Sequence, residues 1–287
     1  MRRWTKAGAV AVGGLLVGTA AATAGGTLLW KRGTARALRR LRARVAEADV
    51  ADAKFTRDHL ADLPAPVVRY FEFALLPGQR MIRHARVRWA GEFRMRAGAW
   101  SPFTAEQYFT ANPPGFVWDA RIRMARLFPV RVRDSYLAEE GVMLGAVGAV
   151  VPVVSQRGTP ELAAGALARF LGEAVWLPTA LLPREGLSWE AVDENTARAT
   201  ITDGAVSASA DFHFSPSGQI LSVSMTRHRE VKGQSVATPF EARIAGDYRR
   251  AGSVMIPPSG EAAWLLPEGR FAYWRGRPVH VVYEPAS

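Results

Sequence analysis

Three carboxylates lie on segments with strand-like alternation and are candidates for acid–base chemistry: Glu106, Asp119 and Asp134. Glycoside hydrolysis needs two carboxyl groups that face one bond, and neighbouring strands can bring such a pair together. Arginines alternate with these carboxylates along the same segments. Ion pairs across a sheet, each worth at most about 1 kcal/mol, therefore explain the pattern more simply. A polar site at these three residues is a secondary hypothesis.

Other arrangements that carry chemistry are missing from the sequence. There is no cysteine, which excludes disulfides, thiolate metal ligands and cysteine nucleophiles. The five histidines are scattered, and none has another histidine two to four residues away, as metal ligands on one element would. The sequence has neither a Gly-x-Ser-x-Gly motif nor a glycine-rich phosphate loop. We predict no catalytic residue, no metal site and no cofactor.

Aromatic side chains offer a different kind of site. Tryptophan and phenylalanine are spread over several predicted elements, where the simplest interpretation is a buried core. If the sheet that carries them is concave and partly uncovered, the same side chains would line a pocket for an apolar ligand. The predicted ligand-binding residues are Trp89, Phe93, Phe116, Trp118, Phe170 and Trp176.

The elements that must position these residues are mainly strands. Apolar and polar residues alternate in two series of segments, over residues 81–133 and 187–283. Between the two series, Thr159 as N-cap and Pro160 as first helical residue predict a helix over 159–176 with a broad apolar stripe. About ten strands without β-α-β alternation predict a mainly β (α+β) fold. We expect a large curled antiparallel sheet or half-open barrel with that helix covering its centre.

One uncharged segment, residues 142–154, follows the first series of strands. It is too short, and too interrupted by glycine and proline, to span a membrane. Two interpretations stay open at this point. The segment is either a buried strand or a mobile apolar lid, and in both cases it would help the helix over 159–176 to cover the sheet.

The basic residues are concentrated at the N-terminus. The formal net charge is +11, of which residues 1–50 carry +8, leaving +3 for the other 237 residues. A domain with nearly balanced charge lacks the broad positive surface of a nucleic-acid-binding protein. We therefore predict no nucleic-acid partner.

Residues 7–30 are 24 consecutive residues without a charge. As a helix they would extend roughly 36 Å, more than the hydrocarbon core of about 30 Å. This length predicts a single-pass N-terminal transmembrane helix, with the side of the membrane that holds the main domain left open. A cleaved signal peptide is the alternative, since Ala22-Thr23-Ala24 fits a small-residue cleavage site.

Five basic residues follow this segment and are predicted to contact anionic lipid headgroups: Lys31, Arg32, Arg36, Arg39 and Arg40. A solvated helix that only stops translocation is the competing interpretation. We divide the chain into a membrane anchor over 1–34, a basic amphipathic helical linker over 35–61, and an antiparallel β half-barrel-like domain over 62–287.

Several distinctive stretches of this domain resemble an uncharacterised bacterial family, a domain of unknown function. The stretches are Asp62–Arg69, Arg88–Phe93, Pro102–Phe109, Phe116–Ala120, Glu161–Pro183, Thr238–Glu241 and Glu268–Arg275. None of them is a catalytic motif. The order of strands, helix and strands also resembles the half-open barrel of bacterial lipoprotein carriers and outer-membrane lipoprotein receptors, although the chain has no lipobox cysteine.

These features predict a membrane-anchored, non-catalytic protein that binds a lipid or another hydrophobic molecule inside a curled sheet. One alternative is an enzyme of unknown reaction that uses the strand carboxylates. The other is an envelope scaffold or interaction protein without a small ligand.

Overall fold

The computed structural model describes residues 4–47, 54–95, 98–123 and 129–285. Residues 48–53 of the predicted linker, and strand positions predicted at 124 and 128, lie outside this part of the chain. The helices are α1 (Trp4–Glu47), α2 (Ala65–Ala74) and α3 (Pro160–Glu173), with short 3-10 helices at Arg57–Leu60, Ala174–Trp176 and Pro178–Leu181. The strands are β1 (Ile82–Phe93), β2 (Ser101–Thr110), β3 (Gly115–Ile122), β4 (Val130–Leu137), β5 (Glu140–Val147), β6 (Val151–Arg157), β7 (Leu187–Ala191), β8 (Thr196–Asp203), β9 (Val206–Phe214), β10 (Ile220–Val231), β11 (Gln234–Ile244), β12 (Arg249–Ala251), β13 (Val254–Ile256), β14 (Gly260–Leu266) and β15 (Gly269–Pro285).

Thirteen of the strands in this described part form one antiparallel sheet. Its order is β6-β5-β4-β3-β2-β1-β15-β14-β11-β10-β9-β8-β7, and β12 and β13 form a separate pair. The sheet has two arms that meet where the first strand pairs with the last, over a long ladder from Ile82↔Pro285 to Phe93↔Trp274. The prediction of a large antiparallel sheet is confirmed.

The sheet is curled, and its two arms approach one another around α3. The helix contacts β4 and β5 on one arm and β8, β9 and β10 on the other. Glu139, in the turn after β4, accepts a hydrogen bond of 2.8 Å from the backbone N–H of Ala205, in the turn after β8. Gln156 of β6 also bonds to Glu230 of β10. The result is a half-barrel with a central covering helix, as predicted.

Residue alternation explains which face of each strand points inward. In β1, Ala85, Val87 and Trp89 are buried, while Arg86 and Arg88 between them are exposed. Side chains on a strand alternate between its two faces, so the apolar set faces α3 and the basic set faces outward. We call the concave surface toward α3 the inner face and the opposite surface the outer face.

The uncharged segment 142–154 is neither a single buried strand nor a lid. It forms most of the β5–β6 hairpin, with a turn at Gly148 and Ala149. The outermost strand, β6, exposes Val151 and Val153 to solvent. The segment therefore extends one arm of the sheet.

The covering helix begins where its capping residues predict. The side chain of Thr159 accepts a hydrogen bond of 3.2 Å from the backbone N–H of Leu162, and Pro160 opens the first turn. The regular helix ends at Glu173, and a 3-10 turn continues it to Trp176. Its buried residues, among them Leu167, face the sheet.

The second half of α1 packs on the outer face of the first arm. Leu41 of α1 is buried against Val117 and Leu137, and Ala37 and Leu38 pack beside them. Farther along the helix, Arg44 forms an ion pair of 3.2 Å with Asp203, to which Tyr136 also donates a hydrogen bond. The helix is thus attached to the same sheet that α3 covers from within.

The predicted single-pass N-terminal membrane anchor over residues 1–34 is wrong. Among the described residues, no helix combines the length and the apolar character that a membrane span needs. α1 is long enough, with 44 residues, but its uncharged run is composed largely of glycine and alanine. These small side chains contribute little apolar surface, so an absence of charge over 24 residues overstated the hydrophobicity of the segment.

Candidate functional site

The inner face of the sheet carries a closely packed group of aromatic rings. Trp89 meets the ring of Trp176 edge-on at 4.9 Å between centroids and that of Trp274 at 5.6 Å. Phe103 continues the group, lying 6.0 Å from Trp274 and 5.8 Å from Trp118. Edge-to-face pairs at these separations are favourable beyond the area they bury.

Most of the aromatic residues predicted to bind a ligand belong to this interior. Trp89, Phe116, Trp118, Phe170 and Trp176 are all at most 3% exposed and are enclosed between the sheet and α3 with its 3-10 extension. The sixth predicted residue, Phe93, is half-buried at the end of β1 against Tyr273, 5.7 Å away. The structure therefore brings the predicted residues together as part of one packed core.

A charged cluster lies inside the same core, centred on Arg169 of α3. Its guanidinium forms ion pairs of 2.6 Å with Asp134 and 2.9 Å with Glu173, and Glu173 accepts a bond of 2.6 Å from Gln107. The Arg169 guanidinium also lies over the ring of Trp118, at 5.1 Å. Burial alone would lower the pKa of Arg169, but the carboxylates of Glu173 and Asp134 raise that pKa above its ordinary value. The arginine is therefore a permanent cation that ties α3 to β2 and β4.

The three predicted carboxylates lie on opposite faces of the sheet. Glu106 and Asp119 are direct partners across β2 and β3, on the outer face. Asp134 pairs in register with Trp118, so it points inward to Arg169. Each carboxylate has its own donor, since Arg86 pairs with Glu106 at 2.7 Å. The structure does not bring the three together around one bond.

Asp119 is the attachment point of α1 on the outer face. It accepts hydrogen bonds from the Trp30 indole N–H at 3.1 Å and from the Thr34 hydroxyl at 2.7 Å. Arg133, its register partner, donates to the Trp30 carbonyl at 3.3 Å and lies 5.0 Å over the Trp30 ring. Burial lowers the pKa of Arg133, an effect that Asp119 opposes.

An open cleft forms where β9 and β10 separate. The two strands pair only between Phe214↔Ile220 and Asp211↔Ser224. Beyond that point, β9 stays paired with β8, and β10 stays paired with β11. The separation leaves a space of about 620 Å³, which we call the β9–β10 cleft. This volume lies within the range of small-molecule sites, about 300–1,000 Å³.

The inner part of the β9–β10 cleft is apolar. One wall is the α3 surface at Ala164, Gly165 and Ala168, and the opposite wall includes Met225 and Phe240. No atom lies within 4 Å of the position that a Cβ on Gly165 would take, so the helix has free space beside it. The outer part is polar: serine and threonine side chains of β9 and β10 line it together with His228 and the ion pair of Arg198 and Asp211.

The side chain of Arg227 lies at the border of this apolar part. The Arg227 guanidinium lies over the rings of Phe240, at 4.9 Å, and Trp264, at 5.8 Å. Its Nε–H is buried and has no acceptor among the described residues. A buried donor without a partner costs free energy that an anionic group in the cleft would recover.

The sequence did not point to this cleft. Alternation places Met225, Arg227 and Phe240 on strands, but it does not reveal where two neighbouring strands stop pairing. Gly165 in the middle of an otherwise strong helix was the one available signal, because glycine weakens a helix and is retained for a packing or functional reason.

The described residues do not form a candidate metal site. Within the described ranges, no group of three or more histidine and carboxylate side chains is arranged to hold a metal ion. Asp211 and His213 share one face of β9, but both oxygens of Asp211 accept from Arg198, at 2.6 and 2.9 Å.

The fold and the cleft define a mainly β half-barrel, covered from within by one helix and open where two strands diverge. The chain belongs to a family of unknown function, DUF6544, whose model matches residues 53–276. A comparison with curated proteins finds no match.

Two solved structures are similar to the chain at low identity. One is a LolA superfamily protein from Nitrosomonas europaea, with 10% identity and a TM-score of 0.40 over 78% of this chain and 94% of that one. The other is a DUF1329 family protein from Desulfovibrio piger ATCC 29098, with 9% identity and a TM-score of 0.38 over 71% of this chain and 86% of that one.

Proposed function

We propose that the protein binds an amphipathic small molecule, such as a lipid with an anionic head, in the β9–β10 cleft. The observation that carries the proposal is the combination of a cleft of about 620 Å³ that has an apolar inner part with a buried, unpartnered Arg227 Nε–H at the border of that part. An apolar ligand in the inner part would displace poorly bound water and remove its own apolar surface from solvent.

The walls of the cleft suit a flexible chain. Met225 is unbranched and polarizable, so it adapts to ligands of different shape. Ala164, Gly165 and Ala168 leave the surface of α3 smooth, and Leu265 at the opening is 39% exposed. Together they offer a lipid tail apolar contact without a fixed outline.

The head of the ligand would meet Arg227. A guanidinium donates hydrogen bonds in a fixed planar fork that matches a carboxylate or a phosphate. Contact with the rings of Phe240 and Trp264 holds the side chain in place before the ligand arrives. Less side-chain entropy is then lost on binding.

Substitution of Gly165 tests whether the cleft is the binding site. Gly165→Leu would place a branched side chain in the free space beside α3, while Gly165→Ala adds one methyl group. Both replacements should stabilise the helix relative to glycine, by about 0.5–1 kcal/mol. Binding of the fluorescent neutral probe 1-N-phenylnaphthylamine should persist in Gly165→Ala and weaken at least tenfold in Gly165→Leu.

Because Gly165→Leu keeps the fold, a loss of binding in this variant cannot be attributed to unfolding. Equal probe affinity in the wild type, Gly165→Ala and Gly165→Leu would refute the cleft as the binding site. The thermal midpoint of each variant is the matched control for stability.

A second experiment tests the role of Arg227. Arg227→Met keeps the apolar stem of the side chain and removes the charge. Oleate should bind the wild type at least tenfold more tightly than it binds Arg227→Met, since a charge-assisted hydrogen bond is worth about 1.5–3 kcal/mol. The neutral lipid monoolein should bind both proteins alike. A parallel loss of both lipids would contradict an anion site at Arg227.

The aromatic residues predicted from the sequence have a secondary place in this proposal. Trp118 lies beneath α3, and Phe170 of α3 and Trp176 of the following 3-10 turn are buried in the same core, so a ligand would reach them only if the helix moved away from the sheet. The assignment of residues 62–287 as the binding domain is part of the same proposal. So is the role of the carboxylates Glu106, Asp119 and Asp134 as structural partners and not as acid–base groups.

Anionic lipid headgroups are a second proposed partner, at the outward side of α1. All five predicted residues, Lys31, Arg32, Arg36, Arg39 and Arg40, are exposed, while Leu41 on the opposite side packs on the sheet. Vesicles with phosphatidylserine should bind the wild type more strongly than a variant with glutamine at these five positions. Equal binding, or binding that is unaffected by salt, would refute this partner.

A further inference from the structure

Four polar residues form a continuous row on the outer face at the end of the β9–β10 cleft. Thr196 and His213 are direct partners across β8 and β9, and Ser224 stands on the neighbouring β10. His213 Nδ1 lies 3.2 Å from the Thr196 hydroxyl oxygen, and His213 Nε2 lies 3.0 Å from the Ser224 hydroxyl oxygen. Asp193, in the turn before β8, interacts with the Thr196 hydroxyl, which contributes to the lowered pKa of Asp193.

Asp193, at one end of the row, can only accept hydrogen bonds when it is ionised. Asp193 accepts from the backbone N–H of Asn195, at 2.8 Å, and from the Thr196 hydroxyl, and these bonds lower its pKa. When the Thr196 hydroxyl donates its single hydrogen to this carboxylate, the Thr196 oxygen remains an acceptor for His213. This arrangement favours the tautomer of His213 that carries the imidazole hydrogen on Nδ1, directed at the Thr196 oxygen.

In this tautomer, the remaining nitrogen of His213 is free to act as a base. A neutral imidazole carries one N–H, so Nε2 holds a lone pair and Ser224 donates its hydroxyl hydrogen to it. A nucleophilic serine needs this arrangement, with a base in hydrogen-bond reach and a third group that orients the base. The neighbouring carboxylate, Asp211, is held by Arg198 and does not compete for His213.

We propose that Ser224 is a nucleophile toward carboxylic esters, with His213 as its general base and Thr196 and Asp193 as positioning residues. This activity goes beyond the proposed binding function, which requires no bond to break, and it rests on a different set of contacts.

The reaction proceeds in two balanced steps. The Ser224 oxygen attacks the ester carbonyl carbon, its proton moves to His213 Nε2, and the carbon–oxygen bond to the alcohol breaks as that proton passes to the leaving alkoxide. A water molecule then attacks the acyl carbon and gives a proton to His213. The acyl bond to Ser224 breaks, the serine recovers the proton, and the carboxylic acid leaves.

The surroundings of Ser224 give a substrate access. Ser224 lines the β9–β10 cleft and belongs to the last residue pair between the two strands. Past that pair, backbone N–H groups on this edge of β10 have no partner on β9, because antiparallel strands exchange hydrogen bonds only where they pair. Such N–H groups are the donors that stabilise the oxyanion of a tetrahedral intermediate. Thr196 is buried, which restricts the movement of its side chain and of the His213 ring bonded to it.

A fluorophosphonate–biotin probe tests the nucleophile directly in the full-length protein. Mass spectrometry of the labelled wild type should locate the probe on Ser224. Hydrolysis of p-nitrophenyl butyrate should fall at least 100-fold in Ser224→Ala and in His213→Gln, a loss in the range that general base catalysis supplies. Ser222→Ala is the matched control on the same strand and face, and it should retain the wild-type rate.

The positioning role of Thr196 needs a readout that a loss of stability would not produce. Thr196→Val should lower kcat at least tenfold with little change in KM, and Thr196→Ser, which keeps the hydroxyl, should restore the rate. Circular dichroism and thermal unfolding verify the fold of each variant. A probe that does not label Ser224, or an ester hydrolysis rate that is equal in the wild type and Ser224→Ala, would overturn the proposal. Neither outcome bears on the proposed ligand binding, which the Gly165 and Arg227 variants test separately.

Discussion

Arg169 on the covering helix and Asp134 on β4 form an ion pair of 2.6 Å inside the curl of the sheet. Both side chains are at least 86% shielded from solvent, whereas Arg86 and Glu106 pair at nearly the same distance with almost half of each side chain exposed. Similar distances thus occur in two very different environments. Burial, and not distance, decides what each pair contributes to stability.

The buried pair should be costly to break. Asp134→Ala removes one partner and leaves the Arg169 charge partly unpaired inside the core, which should lower the free energy of unfolding by about 3 kcal/mol. Glu106→Gln, at the exposed pair, should change it by less than about 1 kcal/mol. Urea denaturation followed by tryptophan fluorescence measures both values, and similar losses in the two variants would contradict the argument.

Asp119 should control how firmly α1 is attached. Asp119→Ala removes the acceptor of Trp30 and Thr34, so the backbone amides around residues 30–45 should exchange their hydrogens faster, by local opening of α1. The strands of the main sheet should keep their protection. Hydrogen–deuterium exchange with mass spectrometry measures this, and Glu106→Gln, the register partner of Asp119, is the control that should leave exchange in α1 unchanged.

The N-cap of α3 should contribute measurably to stability. Thr159→Ala leaves the backbone N–H of Leu162 without its side-chain acceptor, at a cost of about 1 kcal/mol in the free energy of unfolding. Thr159→Ser keeps an acceptor in the same place, and serine is at least as good an N-cap as threonine, so this variant should be no less stable than the wild type. Urea midpoints distinguish the two variants. If serine is no better than alanine here, the cap is not what stabilises the start of the helix.

His84 should make the protein less stable in mildly acidic solution. Burial lowers the pKa of His84 from 6.5; Glu284 opposes this, and Arg42 and Arg83 add to it. A histidine with a lowered pKa stays neutral in the folded protein while the unfolded chain binds a proton, so stability is lost as the pH falls below about 6.5.

The variant His84→Gln isolates this contribution from the other histidines. Between pH 7.5 and pH 5.5, the urea midpoint of the wild type should fall further than that of His84→Gln. Parallel pH profiles of the two proteins would show that protonation of His84 does not affect folding.

Elements with clear residue alternation and good boundary signals were predictable. β9, at Val206–Phe214, lies within the predicted second series of strands over 187–283, and its apolar residues alternate between Asp203-Gly204 and the turn at Ser215–Gly218. Glu106 was expected on a strand, but the bounds of β2 were not predicted, since its inward positions include Gln107, a polar residue that bonds to Glu173. Its inward face therefore lacks the continuous apolar pattern that identifies a strand.

The N-terminal prediction failed for a related reason. A count of residues without charge measured the length of the segment, but insertion into a membrane depends on apolar surface, of which glycine and alanine have little. The tertiary structure instead shows what the second half of the helix contacts, through Trp30, Leu41 and Arg44.

The sequence by itself determined the antiparallel curled sheet and the position of its covering helix, because these follow from local periodicity and capping. Only the tertiary structure decided that Asp134 points inward while Asp119 points outward, and that β9 and β10 separate beyond Asp211 and Ser224. Strand register and the end of a ladder depend on contacts between residues far apart in the chain. A single sequence records which residues alternate, but not which strand each of them faces.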